Sequence, residues 1–385
     1  MIDIYLDNSS TTRPYPEVTE LMGTVLSETY GNPSSLHDKG LEAEKLIRQA
    51  RRQIATLINR REDEIVFTSG GTEANNLAIK GVSFRNSQRG KHLLCSSIEH
   101  LSALNSFRSL EREGFEINFL PVNSRGYIDP GEVNKLVRDD TILISIMHVN
   151  NEIGSIQPLK EIGHQIKAVK PDVLLHVDAI QSFTRLPLRL EEWKADLASF
   201  SAHKVHGPKG AGCLWIREGT KLQPLFDGGE QERGLRSGTE NVAAIAGFGL
   251  AAKLSSENQK HKMSVVSSLK KTFINKIQES GIHCLTNGPL QEEGAPHIIN
   301  LSFPGLKSEI LLHALEEKGI YVSAGSACHS RHPEPSHVLK SIGLNRQALE
   351  GALRFSFSIF NNEEEVITAA EETIKIVRHL SGLIK

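Results

Sequence analysis

The chain has 385 residues, 39% of them hydrophobic and 23% charged, with 44 Lys/Arg against 46 Asp/Glu for a formal net charge of −2. This is an ordinary globular composition with enough chain for two or three domains and a large core, which excludes a disordered or fibrous protein. There is no basic surplus to support direct nucleic-acid binding.

In chain order, the first clear element is a helix in which Leu46, Ala50, Ile54 and Leu57 recur at helical spacing. From about Glu64 to Ile216, short β-rich runs then alternate with amphipathic stretches. The runs begin at Ile65, His92, Ile117, Ile142, Leu174, Leu197 and Gly212. Nearly continuous apolar strands separated by helices predict a mostly parallel, seven-stranded sheet covered on both faces, the α/β class. In such sheets ligands sit beyond the carboxyl ends of the strands, so polar residues just after each run are the better site candidates.

The last third reads as α+β. It has a helix near 264–280, a short strand from His297, a helix near 308–318, a glycine-rich loop, a strand from Leu353 and a terminal helix from Glu363. Val366, Ala370, Ile374 and Val377 give that last helix one apolar face. The expected division is a large α/β domain over residues 16–255 and a smaller α+β domain formed by 1–15 and 256–385.

The longest apolar run, Val242 to Ala252, is too short to span a bilayer. The start, Met1-Ile-Asp-Ile-Tyr-Leu-Asp, has neither a basic stretch nor an apolar signal core. The expected location is the cytoplasm, without a membrane partner. None of the four cysteines belongs to a Cys-x-x-Cys pair, so neither a metal site nor a disulfide is expected. Cys95, Cys213 and Cys284 lie in apolar or strand-like runs and read as buried, inert thiols. Cys328 differs, because it sits among glycine, serine, proline and charged residues in an exposed-loop context where a thiolate can react.

Three segments carry chemistry. In Phe67-Thr-Ser-Gly-Gly-Thr-Glu a strand ends, glycines turn the chain and a helix begins, which puts backbone N–H groups and Thr72 where a phosphate can be held. By itself this is also a plain strand–helix turn, and it is not a P-loop. In His176-Val-Asp, Asp178 ends a buried strand; it is either a helix N-cap or the partner of a protonated ring nitrogen. In Ser199-Phe-Ser-Ala-His-Lys, Lys204 follows an apolar strand, where a partly desolvated amine becomes nucleophilic. A lysine amine, a carboxylate for a pyridinium nitrogen and a phosphate cradle are what pyridoxal 5'-phosphate (PLP) requires.

The ordered motifs extend through the chain: Tyr5-Leu-Asp-Asn-Ser-Ser-Thr-Thr, Tyr30-Gly-Asn-Pro-Ser-Ser-Leu-His, Met147-His-Val-Asn-Asn-Glu-Ile-Gly, Arg236-Ser-Gly-Thr and Gly325-Ser-Ala-Cys beside the three above. Together they resemble the PLP-dependent cysteine desulfurases of the NifS/IscS type, in the class-V aminotransferase-like family, over essentially the whole chain. The resemblance implies PLP-dependent transferase fold type I. It implies that Lys204 carries PLP, that Asp178 pairs with the ring nitrogen, and that His100 stacks on the ring. Asn151 and Gln181 would bond its hydroxyl side, while Gly71, Thr72, Ser201 and His203 would hold the phosphate. It further implies that Thr239 reaches the phosphate across a homodimer interface and that Arg354 grips the substrate carboxylate, with Asn151 beside it.

On this resemblance L-cysteine is converted to L-alanine, with the sulfur held as a persulfide on Cys328. It is then passed to an acceptor protein, an iron–sulfur scaffold or a tRNA-thiolation enzyme. By residue type alone, His100 and His203 read equally as core histidines, Asn151 and Gln181 as loop caps, and Arg354 as a surface ion-pair partner. The matched motifs favour the site for all of these, and His100's part in proton transfer stays open. A selenocysteine lyase and a sulfur-relay scaffold on the same fold are the alternatives. The chain departs from the family pattern at Glu230, where glycine is usual, and at Ile180, where threonine is common. It departs again after Cys328, where His329, Ser330, Arg331 and His332 follow.

Overall fold

The computed structural model describes residues 3–289, 293–324 and 335–383. The first part of the chain runs through β1 (Ile4–Tyr5), α1 (Pro16–Glu28), α2 (Asp38–Leu57), β2 (Ile65–Thr68), α3 (Gly71–Asn86), β3 (His92–Ser96) and α4 (Leu101–Arg112). It continues through β4 (Glu116–Leu120), α5 (Pro130–Leu136), β5 (Thr141–Met147), α6 (Leu159–Val169), β6 (Leu174–Asp178), β7 (Leu197–Ser201) and β8 (Gly212–Ile216). The remainder comprises α7 (Val242–Ser256), α8 (Gln259–Glu279), β9 (Leu285–Asn287), β10 (Ile298–Ser302), α9 (Ser308–Glu316) and β11 (Ile320–Tyr321). After these come β12 (Ser323–Ala324), α10 (His337–Ser341), α11 (Arg346–Glu350), β13 (Ala352–Ser356) and α12 (Glu363–Leu383).

The seven strands expected from the sequence form one sheet in the order β2-β8-β7-β6-β5-β3-β4, and β8 alone runs antiparallel to its neighbours. Every residue of β5 and β7 is buried, as near-continuous apolar runs require when helices cover both faces. The two faces carry separate apolar clusters. One joins α2, α6 and α7 to the sheet around Ile54, Trp215 and Phe248; the other packs α3 and α4 around Leu77, Phe107 and Leu214. Helix α7 is apolar on nearly every side because α1 and α2 both pack against it.

The buried face of α2 is centred on Ala43, Ile47, Ala50 and Ile54. Leu46 and Leu57 of the sequence pattern only flank it, because two adjacent apolar residues let the helix settle a fraction of a turn away from the pattern's axis.

A second, antiparallel sheet has the order β12-β13-β10-β9, while β1 pairs in parallel with β11. Leu6, Phe273, Leu301, Phe355, Val366, Ala370 and Val377 share one apolar cluster there, so the first residues of the chain pack with its last third. The helix anticipated near 264–280 starts five residues earlier, at Gln259, after Asn258 turns the chain at φ 53°. The helix anticipated to reach Lys318 ends at Glu316. Of the three cysteines expected to be buried, Cys95 and Cys213 are, whereas Cys284 is only half-buried. Among the described residues no helix is long and apolar enough to cross a membrane.

Candidate active site

The turns after β2, β3, β5, β6 and β7 meet at the carboxyl edge of the large sheet. After β2, Gly70 takes φ 153°, a backbone conformation that L side chains rarely adopt, and Gly71 starts α3. A Cβ on Gly71 would run into the side chain of Ile180, the residue that stands where threonine is common. The turn is stapled by Glu73, which accepts Ser69 N–H at 2.8 Å and Arg236 Nε–H at 3.0 Å. These contacts hold the carboxyl of Glu73 below its ordinary value despite burial. An open pocket of about 370 Å³ lies over this turn, lined by Gly70, Gly71, Thr72, Ser201, His203 and Lys209 among others. Ser201 Oγ is buried with no hydrogen-bond partner among the described residues, a donor left for something the pocket holds.

Beneath the same edge, Asp178 ends β6. Asn75 Nδ2 donates to its Oδ2 at 2.8 Å, and the backbone N–H of Ile180 donates to Oδ1 at 3.0 Å. Burial raises the Asp178 pKa, and these bonds and the Lys204 charge oppose the rise. Glu99 lies at 0% exposure nearby; burial and the negative charge of Asp178 push its pKa well up.

Lys204 sits in the short turn after β7. Its Nζ donates to Ser9 O and Ser10 O, both at 2.6 Å, so the N-terminal segment crosses directly over it. Gln181 Nε2 donates to the same Ser9 carbonyl at 2.9 Å.

His100 caps α4: the backbone N–H of Ser102 donates to its Nδ1 at 3.1 Å. A neutral ring that accepts there carries its proton on Nε2. Burial, assisted by the charges of Lys204, His337 and Arg354, pulls its pKa to about 4, so the neutral form holds at pH 7. His203 bonds Thr11 Oγ1 through Nδ1 at 3.2 Å and is pulled to about 3, by burial and then by Lys204.

The second wall is Arg354 of β13, only 6% exposed. Its Nη2 donates to Asp7 Oδ1 at 2.7 Å and to Ser10 Oγ at 2.6 Å, and its Nη1 donates to Asn151 O at 2.9 Å. Asn151 therefore meets Arg354 through its backbone. This is a buried ion pair rather than the surface pair considered from residue type. Ser10 is shared between the two walls, since its carbonyl accepts Lys204 and its hydroxyl accepts Arg354.

Lys204, Gly71, Thr72, Asp178, Gln181, Ser201, His203, His100, Asn151 and Arg354 thus lie around one strand-end cleft. Thr239 lies elsewhere in the chain. It is exposed and lines a neighbouring pocket of about 150 Å³ with Ser69, Gly210 and Arg236. Its segment is tied to the glycine turn by the Arg236–Glu73 pair. Cys328 and the residues that follow it to 334 lie outside the described residues. The flanks of that stretch are well placed: Ser323 pairs with Arg354 across β12 and β13, and Ser336 Oγ donates to buried Glu152 at 2.6 Å.

Glu230 is exposed at φ −85°, a conformation that does not call for glycine. The strained residues are the next but one, Glu232 and Arg233, at φ 45° and 59°. Glu232 is held there by two bonds from Arg51, at 2.6 and 2.8 Å, and by Phe67 N–H at 2.8 Å.

Asp7, Asn75, Glu99 and Arg185 were not singled out from the sequence. Asp7 lies inside a motif that was, Tyr5-Leu-Asp-Asn, and Asn75 follows two residues after the Phe67–Glu73 segment; their polar character beside apolar neighbours was the available signal.

The class-V aminotransferase family matches residues 4–368. The cysteine desulfurase IscS of Dictyoglomus turgidum is 43% identical over 378 residues, covering 98% of this chain and 95% of that one. The structure of a NifS-like protein superposes with a TM-score of 0.92 at 36% identity, covering 98% of this chain and all of the other. That of SspA in complex with cysteine gives 0.81 at 35%, covering 93% of this chain and all of the other. The chain belongs to the class-V aminotransferase family, among the PLP-dependent cysteine desulfurases of the NifS/IscS type.

Proposed function

We propose that this cysteine desulfurase converts L-cysteine to L-alanine with PLP held on Lys204, leaves the sulfur as a persulfide on Cys328, and hands it to an acceptor protein. The observation that carries the reading is the set of unlike groups around one cleft: an amine, a buried carboxylate, an unpartnered hydroxyl over a glycine turn, and a buried arginine. PLP fits it. Ser201 Oγ, His203 and the N-terminus of α3 at Gly71 and Thr72 would hold the phosphate, Asp178 the ring nitrogen, and Gln181 and Asn151 the hydroxyl side. When bound, PLP supplies an electron sink for the substrate's carbon skeleton.

The chain's own residues do the rest. Arg354 binds the substrate carboxylate through a guanidinium already aimed by Asp7 and Asn151 O. Lys204 Nζ accepts and returns a proton at the substrate carbon, and His100 faces the same space with its proton on Nε2. The Cys328 thiolate attacks the substrate's sulfur. An S–S bond forms as the C–S bond breaks, the released electron pair is taken up with a proton at carbon, and alanine leaves. Glu152, pushed up to about 7 by burial, anchors Ser336 just beyond that segment.

We assign the large domain to residues 16–255 and the small one to 1–15 with 256–385, on the strength of the separate apolar clusters. A homodimer is supported by Leu26, Tyr30, Leu36 and Leu41, which stand exposed within one short stretch, Leu36 at 95%. In it Thr239 would serve the partner's phosphate site. The acceptor is an iron–sulfur scaffold or a tRNA-thiolation enzyme, and the working location is the cytoplasm.

The test is anaerobic turnover of L-cysteine under reducing conditions, reading alanine and sulfide together in wild type and Cys328→Ala. Equal yields that vanish in the variant are expected. A cofactor absorbance band without cysteine turnover, or turnover that survives in the variant, overturns the assignment and redirects it to selenocysteine or another amino acid.

A further inference from the structure

Arg185 is a buried cation that the reaction as described leaves without a task. It is 7% exposed, and its bonds go to neutral oxygens: Nη1 donates to Gln181 O at 3.1 Å and to Gln181 Oε1 at 3.2 Å, and Nη2 donates to Lys204 O at 2.5 Å. No ion pair with a carboxylate is formed by Arg185 among the described residues. Burial lowers its pKa only to about 10, so it keeps its charge at neutral pH. A buried cation satisfied by carbonyls alone is costly unless its charge is used.

Two geometric consequences follow. A guanidinium can only donate, so the oxygen end of the Gln181 amide must face Arg185. The nitrogen end then faces the cleft, where it donates to Ser9 O at 2.9 Å. The same Ser9 carbonyl accepts Lys204 Nζ at 2.6 Å. Arg185 therefore touches Lys204 at its backbone directly and at its amine through Gln181 and Ser9, a closed ring of four residues from three segments of the chain.

We propose that Arg185 is a positioning residue of the active site: it fixes the Gln181 amide with its nitrogen toward the bound ring, pins the backbone of Lys204, and sets a permanent positive charge behind both. This rests on the assignment of Lys204 as the cofactor-bearing lysine. The titratable groups facing Arg185 are Tyr15 from the N-terminal segment, His203 and His206 from the turn after β7, and His297 ahead of β10. All four are neutral at pH 7 to 8, the histidines because burial depresses them. Lys262 and Lys270 on α8 add positive charge from the far side. The cation that touches both Gln181 and the Lys204 backbone is therefore Arg185, while Asp178 faces Lys204 from β6 and Arg354 acts on His297 from β13. Arg185 favours the deprotonated form of the nitrogen bonded to the ring and an anionic oxygen on the ring.

The experiment uses the full-length holoenzyme. The bound cofactor's absorbance is titrated with pH in wild type, Arg185→Gln and Arg185→Lys, with cofactor release and the melting temperature of the apoprotein measured alongside. Loss of the charge should raise the titration midpoint in Arg185→Gln by about one unit. The lysine variant should restore the midpoint but release cofactor several-fold faster, because one ammonium cannot reach all three oxygens. A wild-type midpoint in Arg185→Gln, with only its melting temperature lowered, assigns Arg185 a structural role and overturns the proposal. If Arg185→Gln does not accumulate, Arg185→Lys decides by itself, since wild-type cofactor release in that variant overturns the proposal. A wild type that shows no lysine-bound cofactor band defeats the assignment of Lys204 and, with it, this inference.

Discussion

On the sheet side of the cleft, Asp178, Gln181, Ser201 and Lys204 stand on β6, β7 and the turns beyond them. Among the described residues Ser201 Oγ has no hydrogen-bond partner, nor has Asn75 Oδ1 next to Asp178. On the opposite side, both Nη groups of Arg354 of β13 are already committed to Asp7, Ser10 and the Asn151 carbonyl, and its Nε alone has no partner among the described residues. The first wall presents groups whose desolvation was met when the sheet folded, so whatever it binds gains the full bonds. The second wall holds a cation that a substrate carboxylate must share with Asp7. Changes on the sheet side should therefore act on the cofactor, and changes at Arg354 on the apparent affinity for the amino acid.

The sharpest way to break that contrast is Asp178→Asn, which leaves the shape and removes the charge. Losing a buried charge partner costs about 3–5 kcal/mol, a drop of roughly 10² to 10⁴ in turnover. The absorbance of the bound cofactor should change with it, and an unchanged spectrum with unchanged turnover would put the ring elsewhere. Arg354→Gln tests the other wall. A charge-assisted carboxylate bond is worth about 2–3 kcal/mol, so kcat/KM for L-cysteine should fall roughly 30- to 150-fold while the cofactor band stays as in wild type. Faster cofactor release in that variant would erase the distinction between the walls.

Acid separates the two sides as well. His148 and His176 are buried in the large α/β layer, and burial pulls both to about 3, against 6.5 for an exposed histidine. Between pH 6.5 and 3 the unfolded chain binds more protons than the folded one. Stability is thus full above 6.5 and is lost as pH falls toward 3, at up to about 1.4 kcal/mol per pH unit for each group. Glu152, raised to about 7, works in the opposite sense: its cost is present above pH 7 and relieved as pH falls. These three groups by themselves give a loss of about 1–2 kcal/mol per unit below 6.5, and the other depressed histidines steepen it. Trp193, whose ring lies 4.4 Å from that of His148 at a 58° tilt, and Trp215 both lie in that layer and are the chain's only two tryptophans. Fluorescence melts at pH 7.5, 6.5 and 5.5 therefore read the sheet side, and a midpoint independent of pH would contradict the account.

The smallest effect belongs to Ser201→Ala. Its hydroxyl has no partner among the described residues, so the apoprotein should melt unchanged, while cofactor affinity drops roughly fivefold for one lost bond of about 1 kcal/mol. A destabilised apoprotein with normal cofactor affinity would mean that Ser201 serves the fold instead.

Much of this was legible in the residues themselves. Strand runs ending in Asp178 or leading to Lys204 carry their own placement, because alternation of apolar runs with helices is a local property and strand ends are where such sheets expose function. The turn at Gly70 and Gly71 is likewise local, since it depends on a conformation that glycine accepts. The helix α2 and its buried Ala50 and Ile54 were legible, but that Ile47 rather than Leu46 is buried is chosen only by packing, since both are apolar. The half-exposure of Cys284 depends in the same way on what the neighbouring helices cover.

What the sequence by itself determined was the set of elements, the α/β class, and the chemistry-bearing residues at the strand ends, each set by side chains close together in the chain. Only the tertiary structure decided who holds whom. Asp7 meets Arg354 across 347 positions, Ser9 receives Lys204 across 195, and Arg185 reaches Lys204 across 19 and around a strand. Periodicity and propensity describe a residue's surroundings within a few positions. A hydrogen bond between distant segments exists only once β1 has paired with β11 and the N-terminal segment has been drawn over the edge of the large sheet.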